Sequence, residues 1–392
     1  MTLPSPKPEP YAVPAEYNAW IRVDMDALSA NVKSLDTLLK TQSPSPKIIA
    51  VVKANAYGHG AVESAWIFAR AGVETFAVTT LAEALELREA HIEQDILVFA
   101  PPLPAQADLF VSHNITATIT QADQIDMLAA ATVPAGQPAR VHIKVDTGMG
   151  RFGVAASDAL ELAKQIDKAS KDIVLAGIYT HFGQALQPNA KHTERQFRLF
   201  QTTVEGIAAA GIDPGLRHCA NSAAILLDER YWLDAVRPGT LLYGQYPAGH
   251  LPKRLSLKDG WSMQARVLSV RSIPTETPLG YGAEYTTKRP SKIAVLAVGY
   301  ADGFAVVPQS TFTGRRGLLA MGRAILGKSP TVTICGKSAP IVGRIAMQTC
   351  MIDVTDIVGA QPGDIATVPA RRATASSRLP RVYIGAETEN KQ

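Results

Sequence analysis

Between residues 20 and 244 the apolar and polar positions repeat one unit: a short run of β-branched or aromatic residues, a turn, then a helical stretch of Ala, Leu, Glu and Lys. The strand-like runs fall at residues 48–52, 75–78, 96–99, 117–119, 141–145, 173–179, 216–220 and 241–243. They are almost continuously apolar, the mark of a parallel sheet buried on both faces rather than of strands with one wet side. About eight such units in roughly 225 residues predict an α/β fold of the (β/α)8 TIM-barrel type, whose functional groups gather at the C-terminal ends of the strands.

After Gly244 the helical period fades. Strand-like runs follow one another at 264–273, 293–298, 332–334 and 351–354, with dense Gly and Pro between them. We therefore expect three parts: a disordered Pro-rich segment over residues 1–18, a barrel over 19–245 and a mostly-β domain over 246–392. The Ala- and Ser-rich basic stretch 370–378 reads as loop.

Composition narrows the partners. The 392 residues are 46% hydrophobic and 19% charged, with a net charge of only +4 and no dense basic run, so nucleic acid is not an expected partner. No apolar stretch is long enough to span a bilayer and the N-terminus has no signal-like apolar core, which makes a cytoplasmic enzyme the expectation. Cys219, Cys335 and Cys350 are widely spaced with no His at ligand distance in sequence, so they read as reduced thiols and no metal site is expected.

Lys53 ends the first apolar run and opens a polar, Gly-containing loop, which puts its amine at the barrel mouth. A desolvated lysine there can lose its proton and attack an aldehyde or take up a proton, although a lysine reaching from a strand end into solvent accounts for the position equally simply. The run Lys53-Ala54-Asn55-Ala56-Tyr57-Gly58-His59-Gly60 decides between the two, because it resembles the cofactor-lysine signature of the alanine racemases. Tyr179-Thr180-His181-Phe182, Asn221-Ser222-Ala223-Ala224, Arg237-Pro238-Gly239, Gly280-Tyr281-Gly282-Ala283 and Val298-Gly299-Tyr300-Ala301-Asp302-Gly303 follow in the order of that family, so the resemblance covers nearly the whole chain.

The resemblance implies a homodimer in which Lys53 carries pyridoxal 5'-phosphate as a Schiff base. Lys53 and Tyr281, the latter reaching the partner subunit's site, would be the two bases that interconvert L- and D-alanine. A tyrosine ordinarily titrates near pH 10, so His181 would assist it and Arg237 would orient His181. Arg237 would also meet the cofactor's ring nitrogen, and a guanidinium can only donate. Tyr57, Ser222, Gly239 and Thr240 would hold the phosphate. Arg151 and the backbone of Met347 would take the substrate carboxylate, Tyr300 would shape the pocket, and Lys144 matches a lysine that many members carry as a carbamate.

Two departures bear on substrate and rate. Gln348 follows Met347 where the family usually has aspartate, and the C-terminal segment is short, with Ser377 at the usual phosphate-binding tyrosine and a helix missing. A racemase for serine or another amino acid, a pyridoxal-phosphate decarboxylase and a non-catalytic cofactor-binding protein are the alternatives. The glycines Gly148, Gly150 and Gly153 also spell a dinucleotide-type fingerprint, but no acidic residue ends the next strand to take a ribose.

Overall fold

The computed structural model describes residues 13–306 and 330–385. Two compact units divide it: Met25–Asp259, and residues 13–24 with Gly260 onward. The N-terminal segment expected to be disordered lies outside the described residues as far as residue 12. Residues 13–18 are tied down instead, since the Arg266 guanidinium donates to the carbonyls of Val13 and Tyr17.

The first strand, β1 (Ala19–Asp24), belongs to the second unit, where it runs antiparallel to β11 (Trp261–Ile273) and parallel to β19 (Arg381–Ile384). The barrel follows as β2 (Lys47–Val51), β3 (Thr75–Val78), β4 (Asp95–Val98), β5 (Ala117–Ile119), β6 (Ala139–Asp146), a two-residue β7 (Val154–Ala155) paired on β6, then β8 (Ile173–Tyr179), β9 (Leu216–Asn221) and β10 (Ala235–Arg237). Their parallel order is β4-β3-β2-β10-β9-β8-β6-β5. Thr116 donates to Ile96 and accepts from Val98, which joins β4 to β5 and closes the ring. The helices between strands bury one stripe each: Ala159–Lys168, for example, buries Ala159, Leu162, Ala163 and Ile166, a 3.6-residue period.

Two expectations change here. Residues 241–243 are not the last barrel strand; that place is taken by β10, and Tyr243 sits in the following turn, donating its hydroxyl to the Val51 carbonyl. The barrel boundaries also move, from 19 to 25 and from 245 to 259. The first shift follows from the pairing of β1 in the second unit, and the second from Asn31, fully buried on the helix Met25–Leu39, whose side chain donates to the carbonyls of Leu242 and Lys258 and accepts from the Lys258 N–H. It fastens the segment after Gly244 to the barrel unit.

In the second unit β11 (Trp261–Ile273), β14 (Ser291–Leu296), β15 (Thr331–Ile334), β16 (Lys337–Val342), β17 (Cys350–Asp353) and β18 (Ile365–Val368) form an antiparallel ring. β11 pairs with β18 through its first half and with β14 through its second. The hairpin β12 (Pro278–Leu279) and β13 (Tyr285–Thr286) projects from it, and β19 (Arg381–Ile384) ends the sheet beside β1. The stretch 370–378 is loop with one 3-10 turn.

Gly177 tests the barrel packing. A Cβ there would stand 2.6 Å from the Leu216 carbonyl oxygen and 2.8 Å from the ring of His142, so backbone on β9 or a buried imidazole must move. Gly177→Ala should cost about 1–3 kcal/mol of stability, the usual penalty of overpacking, seen as a lower urea midpoint with unchanged slope.

Candidate active site

Lys53, Tyr57, His181, Ser222, Arg237, Gly239 and Thr240 line one cavity of about 250 Å3 at the C-terminal mouth of the barrel, completed by apolar side chains such as Val51, Phe99 and Leu186. No carboxylate is among its lining residues.

Lys53 leaves β2 into an unusual backbone. Ala54, Asn55, Ala56 and Tyr57 all have φ between 51° and 54°, a full turn of left-handed helix built without glycine. Such residues cost about 1–2 kcal/mol each, so the turn persists only because its surroundings fix it. Asn55 accepts from the Ala61 N–H through its side chain, the Ala56 N–H donates to the Val52 carbonyl, and the Ala54 N–H donates to Glu83. The turn sets the Tyr57 hydroxyl against Gly239, where a Cβ would stand 2.4 Å from that oxygen. Burial pushes the Tyr57 phenol up to about 12, so it is a neutral donor at neutral pH. Burial and, next, the charge of Arg151 lower the Lys53 amine, while Glu83 opposes them.

Ser222 accepts from the Gly239 N–H at 2.8 Å, and Asn221 caps the short helix Ser222–Leu227 by accepting from Ala223 and Ala224. The Thr240 hydroxyl is buried with no partner among the described residues. An orphaned buried hydroxyl costs about 1–3 kcal/mol, which marks this corner as one that takes up an acceptor.

Arg237, 3% exposed, donates to His218 Nδ1 at 2.7 Å and to the carbonyls of Thr180 and Cys219 at 2.6 and 3.1 Å. It therefore does not orient His181 by a hydrogen bond, as the sequence led us to expect. Burial lowers the guanidinium to about 10, still charged at neutrality. Since it can only donate, His218 Nδ1 must accept, and the His218 Nε2–H then donates to His142 Nδ1 at 2.9 Å. Tyr179 stacks on His218 at 4.9 Å and shares a hydrogen bond of 2.9 Å with Thr118. Burial first and Arg237 next hold His218 and His181 well below the ordinary imidazole range, so both rings are neutral.

Arg151 is exposed and lines a neighbouring cavity of about 590 Å3 with Thr80, Gln106 and Phe152 rather than the Lys53 cavity. Lys144, buried on β6, donates to the Phe152 carbonyl at 2.8 Å. The three glycines of the fingerprint cradle no phosphate: Asp146 accepts from the N–H groups of Gly148, Met149 and Gly150.

In the β unit, Tyr281 is 72% exposed on a turn between Gly280 and Gly282, both with positive φ. Glu284, on the same turn, is paired with Arg344. Tyr300 and Ala301 donate their N–H groups to the carbonyls of Ala346 and Met347, which brings exposed Tyr300 and Met347 side by side. Gln348 and Ser377 are both exposed, and the Ser377 carbonyl accepts from Arg381.

Residues 23–247 match the family described as alanine racemase, N-terminal domain, and residues 261–382 match alanine racemase, C-terminal domain. The alanine racemase of Methanococcus maripaludis is 35% identical over 93% of this chain and 98% of its own. That of Desulforamulus reducens is 34% identical over 93% and 99%. This chain belongs to the alanine racemase family. Among solved structures, the alanine racemase of Clostridium difficile 630 aligns with a TM-score of 0.84 at 27% identity over 94% of this chain and 96% of that one. The enzyme of Bacillus anthracis with bound L-Ala-P aligns with 0.81 at 28% identity over 95% and 96%.

Within this alanine racemase fold the sequence reading gave no role to His142, His218, Tyr179, Thr118 or Glu83. His142 carried a signal: a histidine between apolar residues, at an alternating position with Lys144 on β6, cannot face solvent in a sheet buried on both faces.

Lys144 offers a titration test. Burial first and Arg237 next bring its amine down to about 8, whereas Asp146 raises it. Below pH 8 the folded state holds a disfavoured charge, and the unfolded chain keeps its proton up to about 10.5, so stability gains from this group as pH rises between the two values. In carbon-dioxide-free buffer, the unfolding free energy of Lys144→Met relative to the parent should fall by roughly 2 kcal/mol between pH 7 and pH 10. A difference that does not change over that range contradicts the lowered amine.

Proposed function

We propose that this protein interconverts L- and D-alanine with pyridoxal 5'-phosphate held on Lys53, as a cytoplasmic homodimer whose Tyr281 serves the partner's barrel. One observation carries the reading: a lysine with a lowered amine opens on a single acid-free cavity that also holds Arg237, neutral His181 and an orphaned hydroxyl on Thr240.

The residues present fit the cofactor. Thr240 lacks an acceptor, Tyr57 is a neutral donor, and Ser222 and the Gly239 N–H stand beside them, a set suited to a phosphate dianion. When bound, pyridoxal phosphate supplies an aldehyde for the substrate's amino group and a ring that draws electron density from the Cα–H bond. Arg237 would meet the ring nitrogen and, able only to donate, would leave it unprotonated, which would limit that withdrawal and favour simple return of a proton to Cα.

Lys53, its amine lowered by burial and Arg151, takes or returns the Cα proton on one face. Tyr281 serves the other face, with neutral His181 as its hydrogen-bond partner. Arg151 and the Met347 backbone hold the substrate carboxylate, and Tyr300 bounds the side-chain pocket. An amine brought down to about 8 leaves Lys144 partly unprotonated at neutrality and able to add carbon dioxide. The resulting carbamate would replace repulsion between Lys144 and Arg151 by attraction and fix the arginine toward substrate.

A decarboxylase would need a carboxylate at the ring nitrogen and a reactive thiol. Arg237 stands against the first; against the second, burial pushes Cys219 and Cys350 up to about 12, and slight desolvation with the charge of Asp364 raises the exposed Cys335.

Chiral chromatography tests the reading. With pyridoxal phosphate, L-alanine should become an equal mixture of enantiomers, and Lys53→Ala and Tyr281→Ala should each abolish turnover. Mixing the two variants should restore activity through the one intact site of each heterodimer. Turnover of no amino acid, or preference for another, overturns the substrate; no recovery despite proven subunit exchange overturns the shared site.

Thr240→Val separates binding from folding. The apoprotein should keep its melting temperature or gain slightly, because an unpartnered buried hydroxyl is removed, while pyridoxal phosphate should bind about tenfold more weakly in a fluorescence titration. Equal affinity in the two proteins removes Thr240 from the phosphate site.

A further inference from the structure

One main-chain donor of the left-handed turn after Lys53 reaches a side chain on another element. The Ala54 N–H donates to Glu83 Oε1 at 2.6 Å. The other oxygen of that carboxylate accepts from the N–H groups of Thr79 and Thr80 at 2.9 and 3.0 Å and from the Thr80 hydroxyl at 3.2 Å, while Thr80 caps the helix Leu81–Glu89 by accepting from the Glu83 N–H. Capping thus employs Oε2 alone. Oε1 crosses to the loop that carries Lys53.

We propose that Glu83 is a positioning residue for Lys53: its carboxylate fastens the left-handed turn 54–57 to the first turn of the helix Leu81–Glu89 and so fixes the lysine amine and the Tyr57 hydroxyl in the cavity. The proposal rests on the reading of Lys53 as the cofactor lysine. Its chemistry requires a carboxylate, because each group hydrogen-bonded to the Glu83 side chain donates to it, and a carboxylate alone accepts on both of its atoms. Glutamine has one carbonyl and must present an amide N–H either to Ala54 or to the helix terminus. Backbone in the left-handed region relaxes once a tether is lost, since each of the four non-glycine residues is disfavoured there. Around the Lys53 amine Glu83 is also the negative counterpart of Arg151, with His181 neutral and Arg237 on the same cavity wall.

The test compares Glu83→Gln with Thr80→Ala in the full-length apoprotein. Thr80→Ala loses the cap hydroxyl and leaves the carboxylate on Ala54, so it reports a purely helix-capping role. Two quantities are read: amide hydrogen exchange of residues 54–57, and the rate at which borohydride traps pyridoxal phosphate on Lys53, located by peptide mass spectrometry. Glu83→Gln should speed exchange at 54–57 at least tenfold and slow trapping about tenfold, while Thr80→Ala should leave both at parental values and loosen only the start of the helix. Parental exchange and trapping in Glu83→Gln, or the same losses in Thr80→Ala, overturn the proposal. A parent chain that takes no label on Lys53 refutes the cofactor reading instead, and the exchange comparison still decides whether Glu83 fastens the turn.

Discussion

The barrel is organised around a buried positive charge that has no carboxylate beside it. Taking the Arg237 guanidinium out of water costs several kcal/mol, and the cost is offset only if its donors are met. Three of its five N–H groups are met, by one imidazole nitrogen and two main-chain carbonyls. Because a guanidinium only donates, its charge dictates the hydrogen-bond direction outward through His218 to His142, joining β10, β9 and β6 through side chains as well as through the ladder. Protonating either histidine would turn an acceptor into a second buried cation facing the first. Both rings are therefore held neutral, His142 down to about 3 by burial and by the charges of Arg140 and Arg237.

The same uncompensated charge shapes the mouth of the barrel. Its field adds to burial in holding His181 neutral and in bringing Lys144 down, and Arg151 does the same for Lys53. Both lysines give up a proton more readily than exposed lysines do, and a cavity lined by no acid attracts anions. Neutral donors are the complement to such a field. Tyr57, Ser222, Thr240 and the Gly239 amide can bind a dianion without adding cations that would lower Lys53 further.

How much of this could be read in the sequence depended on whether a residue's task is visible locally. Apolar runs such as 173–179 and 117–119 gave their strands because a sheet buried on both faces leaves no ambiguity of face. Residues 241–243 have the same composition but bury themselves in a turn, with Tyr243 packed on Tyr57 and His59, and hydrophobicity alone does not separate those outcomes. Lys53, Ser222 and Gly239 stood out because they sit in compact motifs. Glu83 and Asn31 did not, since each acts on main-chain atoms distant in sequence and a lone polar residue on a helix ordinarily faces water. The pairing of β1 with β11 and β19 was hidden for the same reason: a single amphipathic strand names no partner.

Strain and close approach at the mouth are one coupled feature. β2 and β10 are neighbours in the barrel, so the residues that follow them, Lys53 to Tyr57 and Pro238 to Thr240, must share one small volume. The Val51 N–H donates to the Pro238 carbonyl, bringing the two exits together. A left-handed turn places the Tyr57 hydroxyl at the point where any side chain on residue 239 would begin, so the strained backbone on one strand and the glycine on the other require each other. A bulkier residue at 239 would push Tyr57 out, and relaxation of the turn would withdraw it and leave Gly239 bare. Glycine supplies the space and the tethers on Ala54, Asn55 and Ala56 supply the geometry. Lys53, Tyr57 and Gly239 are thus set at a fixed separation by adjacent strands, which a flexible loop of the same composition could not do.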